Sequence, residues 1–178
     1  EKRIGQLLEL RRRLPKSDSV ALALVKAFIS AGREPEAWHV MISRHERCEE
    51  AEETRKWWRD VVSLEQTVGS LHSQPVLSRL QDMRREQNEN ANYWAAIAEV
   101  ATLSGDMNSR IVAQTEELRL SPSDVGLRLE LADALAESGA TADARRMVAP
   151  LLRGPLAAKA LVFLACLELS SGRFDSAE

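Results

Sequence analysis

LADALAESGATADA, residues 131–144, places an aliphatic–small pair (Leu131, Ala132) eight and seven residues before a glycine (Gly139) and an alanine (Ala144) five residues after it. The same spacing recurs along the chain. Gly32, Gly69, Gly105, Gly139 and Gly172, five of the eight glycines, are separated by 37, 36, 34 and 33 residues. Eight residues before each stands Leu24, Val61, Ile97, Leu131 or Leu164, followed at once by Val25, Val62, Ala98, Ala132 or Ala165. A period of this length fits helix–turn–helix units and is too long for leucine-rich repeats. A lone helical hairpin cannot bury its apolar stripe, so neighbouring units must stack and share one continuous core. Glycine suits the turn because it accepts the positive φ with which many helices end. The fold expected is all-α, and no alternation of the strand type is present.

Outward from the glycines, the bulky position before the aliphatic pair carries Trp58 and Trp94, and the alanine after the turn is Ala37, Ala144 and Ala177. A closing proline stands at Pro15 and Pro122, with Pro155 one residue early. Ser30-Ala31-Gly32-Arg33 through to Ala37 matches as closely as 131–144. This pattern resembles the tetratricopeptide repeat (TPR) family over essentially the whole chain. The resemblance implies a right-handed α-solenoid of about five stacked hairpins, an internal fragment of a longer array. Its repeats would be 18–50, 51–90, 91–124 and 125–157, with 1–17 the last helix of a preceding unit and 158–178 a truncated one. Gln74 and Arg110 replace the alanine that lets the second helix pack closely, so the second and third hairpins are expected to shift their B helices.

Helix starts carry their own marks. Ser17, Asp18 and Ser19, and again Ser121-Pro122-Ser123-Asp124, offer cap oxygens to free backbone N–H groups. Pro35 opens a B helix where no donor is needed. With 178 residues, 44% apolar and 29% charged, the composition is that of a globular protein. No apolar run approaches the roughly 20 residues that cross a bilayer, and no signal peptide is visible, so direct membrane insertion is not expected. Nineteen of the 24 basic residues are arginine, a weak hint of a GC-rich bacterial genome, and the compartment expected is cytoplasmic or bacterial periplasmic. A net charge of −3 disfavours nucleic-acid binding, including a pentatricopeptide-type RNA reader, whose closest resemblance lies in 23–37.

Candidate chemistry is sparse. His45-x-x-Cys48, with His39 and Glu49 or Glu50 nearby, places metal-competent side chains about a helical turn apart, but no second ligand pair follows, and zinc wants three or four ligands. The expectation is no metal and no cofactor, with these residues solvated at the end of a helix and Trp38 and Met41 in the core. Cys48 and Cys166 stand about three repeats apart, too far for a disulfide in an array whose units touch only their neighbours, and Cys166 is expected to pack as a small residue. Glu52 precedes Lys56 by four residues, a favourable helix pair. Trp57, Trp58, Val61, Leu64, Val68 and Leu71 form an amphipathic stripe. Trp58 falls in the repeat register and reads as core, whereas Trp57 does not and is the candidate exposed hot spot. There is no Gly-rich phosphate loop, nucleophile elbow or His with a nucleophile partner, so no enzymatic role is expected.

By the same resemblance, the groove-facing positions lie 13, 10, 6 and 3 residues before each turn glycine. In the first unit these are Ser19, Leu22, Lys26 and Ile29, and in the second Lys56, Arg59, Ser63 and Gln66. The third and fourth units supply Asn92, Ala95, Glu99 and Thr102, then Gly126, Leu129, Asp133 and Ala136. The groove would run from a basic end at Lys26, Lys56 and Arg59 to an acidic stretch at Glu99 and Asp133. The Lys and Asn set with which some TPR domains clamp a terminal carboxylate is not reproduced. The function expected is a protein–protein interaction scaffold holding a protein or peptide partner in a bacterial multi-protein assembly, such as exopolysaccharide export or secretion machinery. The alternatives are a structural spacer or self-assembling rod, and the sensor arm of a longer enzyme or transcription factor.

Overall fold

The computed structural model describes residues 2–64 and 73–170, with side chains described for all of these except Ser73, Gln74, Pro75, Arg85 and Ser170. Every regular element among the described residues is a helix. The chain forms two compact units, Glu1–Asp106 and Met107–Glu178, and the boundary falls between the two helices of the expected third repeat. The first contains α1 (Lys2–Arg13), α2 (Asp18–Ser30), α3 (Glu34–His45), α4 (Ala51–Ser63), α5 (Ser73–Asp82), the short α6 (Arg84–Gln87) and α7 (Ala91–Ser104). The second contains α8 (Met107–Leu120), α9 (Val125–Glu137), α10 (Thr141–Val148), a 3-10 turn (Ala149–Arg153) and α11 (Ala157–Ser170).

Local chemistry sets the ends of these helices. Ser17 caps α2 by accepting from the Val20 N–H (3.4 Å), and Asp124 caps α9 by accepting from the Leu127 N–H (2.9 Å). Asn90, which the sequence reading passed over, caps α7 by accepting from the Asn92 N–H (3.0 Å). Pro35 lies in the first turn of α3. Three helix ends reverse in the same way. Gly32, Gly105 and Gly139 have φ of 67°, 71° and 85°. In each case the glycine N–H returns to the carbonyl three residues back (Ile29, Thr102, Ala136), and the next N–H to the carbonyl five back (Phe28, Ala101, Leu135). This is the Schellman pair of bonds, which satisfies carbonyls that the helix leaves free. Gly69, Gly172, Gln66 and Ala177 lie outside the described residues, as does the side chain of Gln74.

Four of the five aliphatic–small pairs lie in the core, whereas in the fifth Leu164 is only partly buried and Ala165 is exposed. Leu24, Val25, Val61, Ile97, Ala98, Leu131 and Ala132 are all between 0 and 3% exposed. In the first unit α2 packs between α1 and α3, and α4 lies along α7. Helix α5 packs chiefly on α7, anchored by the Tyr93 hydroxyl, which donates to the Leu80 carbonyl at 3.0 Å. In the second unit Leu118, Leu127 and Leu131 form one apolar cluster, while Ala132, Val148, Leu151 and Ala160 form another, against which Leu129 and Phe163 pack. Helix α11 is only half covered. Ala160 and Leu167 are buried, whereas Leu161, Val162 and Leu169 are 59%, 64% and 58% exposed.

Candidate functional site

Twelve of the groove positions expected from the sequence fall in the first unit, and all but Gln66 are among the described residues. Lys56 and Arg59 project from α4, but neither waits for a partner. Lys56 Nζ contacts Asp18 (3.1 Å) and Asp60 (3.3 Å), and these bonds raise the lysine pKa. The pair with Glu52 suggested by sequence spacing gives way to these two. Arg59 forms a two-pronged bond with Glu99 of α7, Nε to Oε1 at 2.9 Å and Nη2 to Oε2 at 3.2 Å. Asn92 donates its side-chain N–H to the Cys48 carbonyl at 3.0 Å, and the Ser63 hydroxyl donates to the Asp60 carbonyl at 2.9 Å. Ile29 and Ala95, expected to face the groove, are 8% and 0% exposed. Lys26 remains exposed beside a small cavity of about 220 Å³ between α1 and α2. Of the expected basic end, Arg59 is thus bridged to the acidic Glu99 and Lys56 is paired with Asp18 and Asp60, which leaves Lys26 as its one cation without a partner among the described residues.

Asp133 lies in the second unit and in a different setting. A cleft of about 530 Å³ opens between α9 and α11, with Leu129, Val162 and Phe163 as apolar lining and Glu130, Asp133 and Lys159 around it. These three charged side chains are exposed and form no hydrogen bond or ion pair with any described residue. Glu130 and Asp133 are three residues apart on α9, hence on one side of that helix. Leu129 and Phe163 also pack on the buried cluster beneath, which holds the cleft wall in shape. The sequence reading named Leu129 and Asp133 here and missed Glu130, Lys159, Val162 and Phe163. Two of the four were within reach, because counting 13, 10, 6 and 3 residues back from Gly172 gives Lys159, Val162, Cys166 and Leu169. All four are exposed.

No protein-family model and no curated protein matches this chain.

Of the residues singled out around 38–58, His39, Glu49 and Glu50 are exposed as expected and Trp38 is partly buried, whereas Met41, His45, Cys48, Trp57 and Trp58 lie in the interior of the first unit. Trp57, expected to be an exposed hot spot, is 0% exposed, and its indole N–H donates to the Met41 carbonyl at 3.2 Å. The physical reason is that α4 contacts α2, α3 and α7, so it is buried over a wider arc than a two-helix packing would cover. Trp58 is also 0% exposed, in agreement with its register. Beside Trp57, the guanidinium of Arg44 is 2% exposed and tied to three segments. Its Nε donates to Asp18 of α2 (2.7 Å), one Nη to Glu53 of α4 (2.6 Å), and the other to Cys48 Sγ (3.2 Å). Burial alone would lower the Arg44 pKa, but the bonds to Glu53 and Asp18 outweigh it and the pKa rises. Conversely, Arg44 and the Glu49 N–H hold the Glu53 carboxyl below its usual range.

His45 and Cys48 are buried as well, not solvated as the sequence reading expected. Desolvation pushes the Cys48 thiol pKa up. Cys166, expected to be a packing residue, is instead exposed. The His45 Nδ1 accepts from the Trp58 indole N–H at 3.3 Å, so this nitrogen carries no proton, and burial lowers the imidazole pKa to about 4. Among the described residues no group of three His, Cys, Asp or Glu side chains stands together as a metal site would require. The His45 arrangement predicts an acid-sensitive fold. The folded pKa of about 4 lies below the 6.5 of the unfolded chain. Protonation therefore favours unfolding, and the contribution is complete above pH 6.5 and lost as pH falls towards 4. Between pH 7 and pH 5 the urea midpoint should drop by the equivalent of about 2 kcal/mol. His45→Gln, which keeps an acceptor without titrating, should flatten that slope, and an unchanged slope would exclude His45 as its source.

Proposed function

We propose that this chain is a non-catalytic, TPR-like interaction scaffold that holds a segment of a partner protein on its first-helix face, within a larger assembly. The observation that carries the reading is the cleft between α9 and α11. An apolar lining that includes the 64% exposed Val162 lies next to three charges without partners among the described residues, whereas Lys56, Arg59 and Glu99, expected at the groove of the first unit, are already paired. Exposed apolar side chains grouped with available polar groups are what a protein surface presents at an interaction site. The recurrent aliphatic–small register and the repeated glycine turns support the repeat-protein part of the reading.

The test is capture of partners from extracts on the immobilised chain, beside Val162→Glu. This substitution changes a side chain that is already exposed, so helicity by circular dichroism should be unchanged. The expected result is a partner retained by the parent chain and lost by Val162→Glu. Retention by both would move the functional surface elsewhere. The exposed Leu161 and Leu169 on the same helix favour one second reading, self-association through α11. It predicts a concentration-dependent mass in sedimentation that Leu161→Glu returns to the monomer.

A further inference from the structure

We infer that the α9–α11 cleft is selective for a partner segment in which an aliphatic or aromatic side chain stands next to lysine or arginine. The inference rests on the scaffold reading above and adds the chemistry of the occupant. Three observations carry it. First, the cleft is shaped by packed residues: Leu129 and Phe163 press on the core cluster around Ala132 and Ala160, so an incoming apolar side chain meets a wall already in place and covers Val162. Second, the charges are unequal. Glu130 and Asp133 place two carboxylates on the α9 wall against the single ammonium of Lys159 on α11, and no described residue neutralises any of them. An acidic segment laid here would meet two like charges, whereas a basic one gains two contacts.

Third, the first unit shows the alternative. At the register positions occupied by Lys56, Arg59 and Glu99, every charge is satisfied by a neighbouring helix. The carboxylates of Glu130 and Asp133 have no such partner among the described residues, and a cation from outside the chain would complete there the kind of bridge that Arg59 makes with Glu99. Lys159, on the opposite wall, would meet carbonyl or carboxylate oxygens of the segment and fix its direction along the cleft.

A random 12-residue peptide library displayed on phage and selected on the immobilised chain provides the probe. Enrichment of sequences pairing Leu, Ile, Phe or Trp with Lys or Arg is expected. A synthetic copy of an enriched peptide, followed by fluorescence anisotropy, should bind about tenfold more weakly to the Glu130→Lys/Asp133→Lys variant and severalfold more tightly to Lys159→Glu. Its affinity should also fall as salt rises from about 50 to 500 mM, because exposed charges are screened. All three altered side chains are exposed, and circular dichroism confirms that each variant is folded. Enriched peptides that are acidic or uncharged, yet still lost on Val162→Glu, would overturn the charge selectivity while leaving the cleft as the binding site. No enrichment, or enrichment indifferent to Val162→Glu, would overturn both readings.

Discussion

Replacing Arg44 with alanine should lower the free energy of unfolding by about 3 kcal/mol, the lower part of the range for breaking a buried ion pair. The lower part applies because the partners left behind are not fully buried: the side chains of Asp18 and Glu53 are 23% and 36% exposed. Each also keeps another contact, Asp18 with Lys56 and Glu53 with the Glu49 N–H. What is lost is the only described group that bonds both Asp18 and Glu53, and with it the packing of its guanidinium against the Trp57 ring, 5.9 Å from the centroid. Arg44→Lys restores the charge but not the planar fork, since an ammonium cannot reach Asp18, Glu53 and Cys48 in the same directions. It should recover less than half of the loss. The measurement is urea denaturation followed by circular dichroism. Equal stability of Arg44→Ala and the parent would show that the cluster is incidental to the fold.

Trp57→Ala should cost more, about 4 kcal/mol. Deleting a buried tryptophan typically costs 3–5 kcal/mol through lost transfer energy and the cavity left behind, and here the Met41 carbonyl also loses its indole donor. Trp57→Phe keeps most of the ring and should lose about 1–2 kcal/mol. The comparison distinguishes the interior position from an exposed one. An interface tryptophan would leave stability nearly unchanged and remove binding, whereas Trp57→Ala should destabilise the first unit while the isolated cleft peptide still binds to whatever fraction of the chain is folded.

The difference between Trp57 and Trp58 marks how far the sequence could be read. Repeat spacing located four buried aliphatic pairs and three glycines whose positive φ is a local backbone requirement, and cap-forming residue types marked the helix starts at Ser17 and Asp124. These are statements about residues within a few positions of one another, so a linear pattern contains them. Burial of Trp57 depends on how many helices surround α4, a property of the assembled unit. The same holds for charge. Lys56 was assigned to Glu52 because they are four apart, but its contacts include Asp18, and Arg59 meets Glu99 across 40 residues. Local pairing rules cannot see such partners, and Arg59 and Glu99, expected at the basic and acidic parts of the groove, bridge each other instead. His45 and Cys48 were misread for a related reason, since their polar type suggested solvent while an indole N–H and a guanidinium were satisfying them inside the unit. The α9–α11 cleft was half visible. Leu129 and Asp133 followed from the fourth glycine, and Lys159 and Val162 follow from the fifth by the same count. Glu130 and Phe163 fall outside that count and reach the cleft through the packing of α9 against α11.

The contrasting settings of the two thiols have a practical consequence. Cys48 is buried and poor in thiolate, whereas Cys166 is exposed on α11, one helical turn from Val162. A maleimide dye added to the folded protein at neutral pH should therefore attach at Cys166 alone. The natural sequence thus carries a single attachment point for a fluorophore or spin label beside the cleft, so that occupancy can be followed optically without altering any residue.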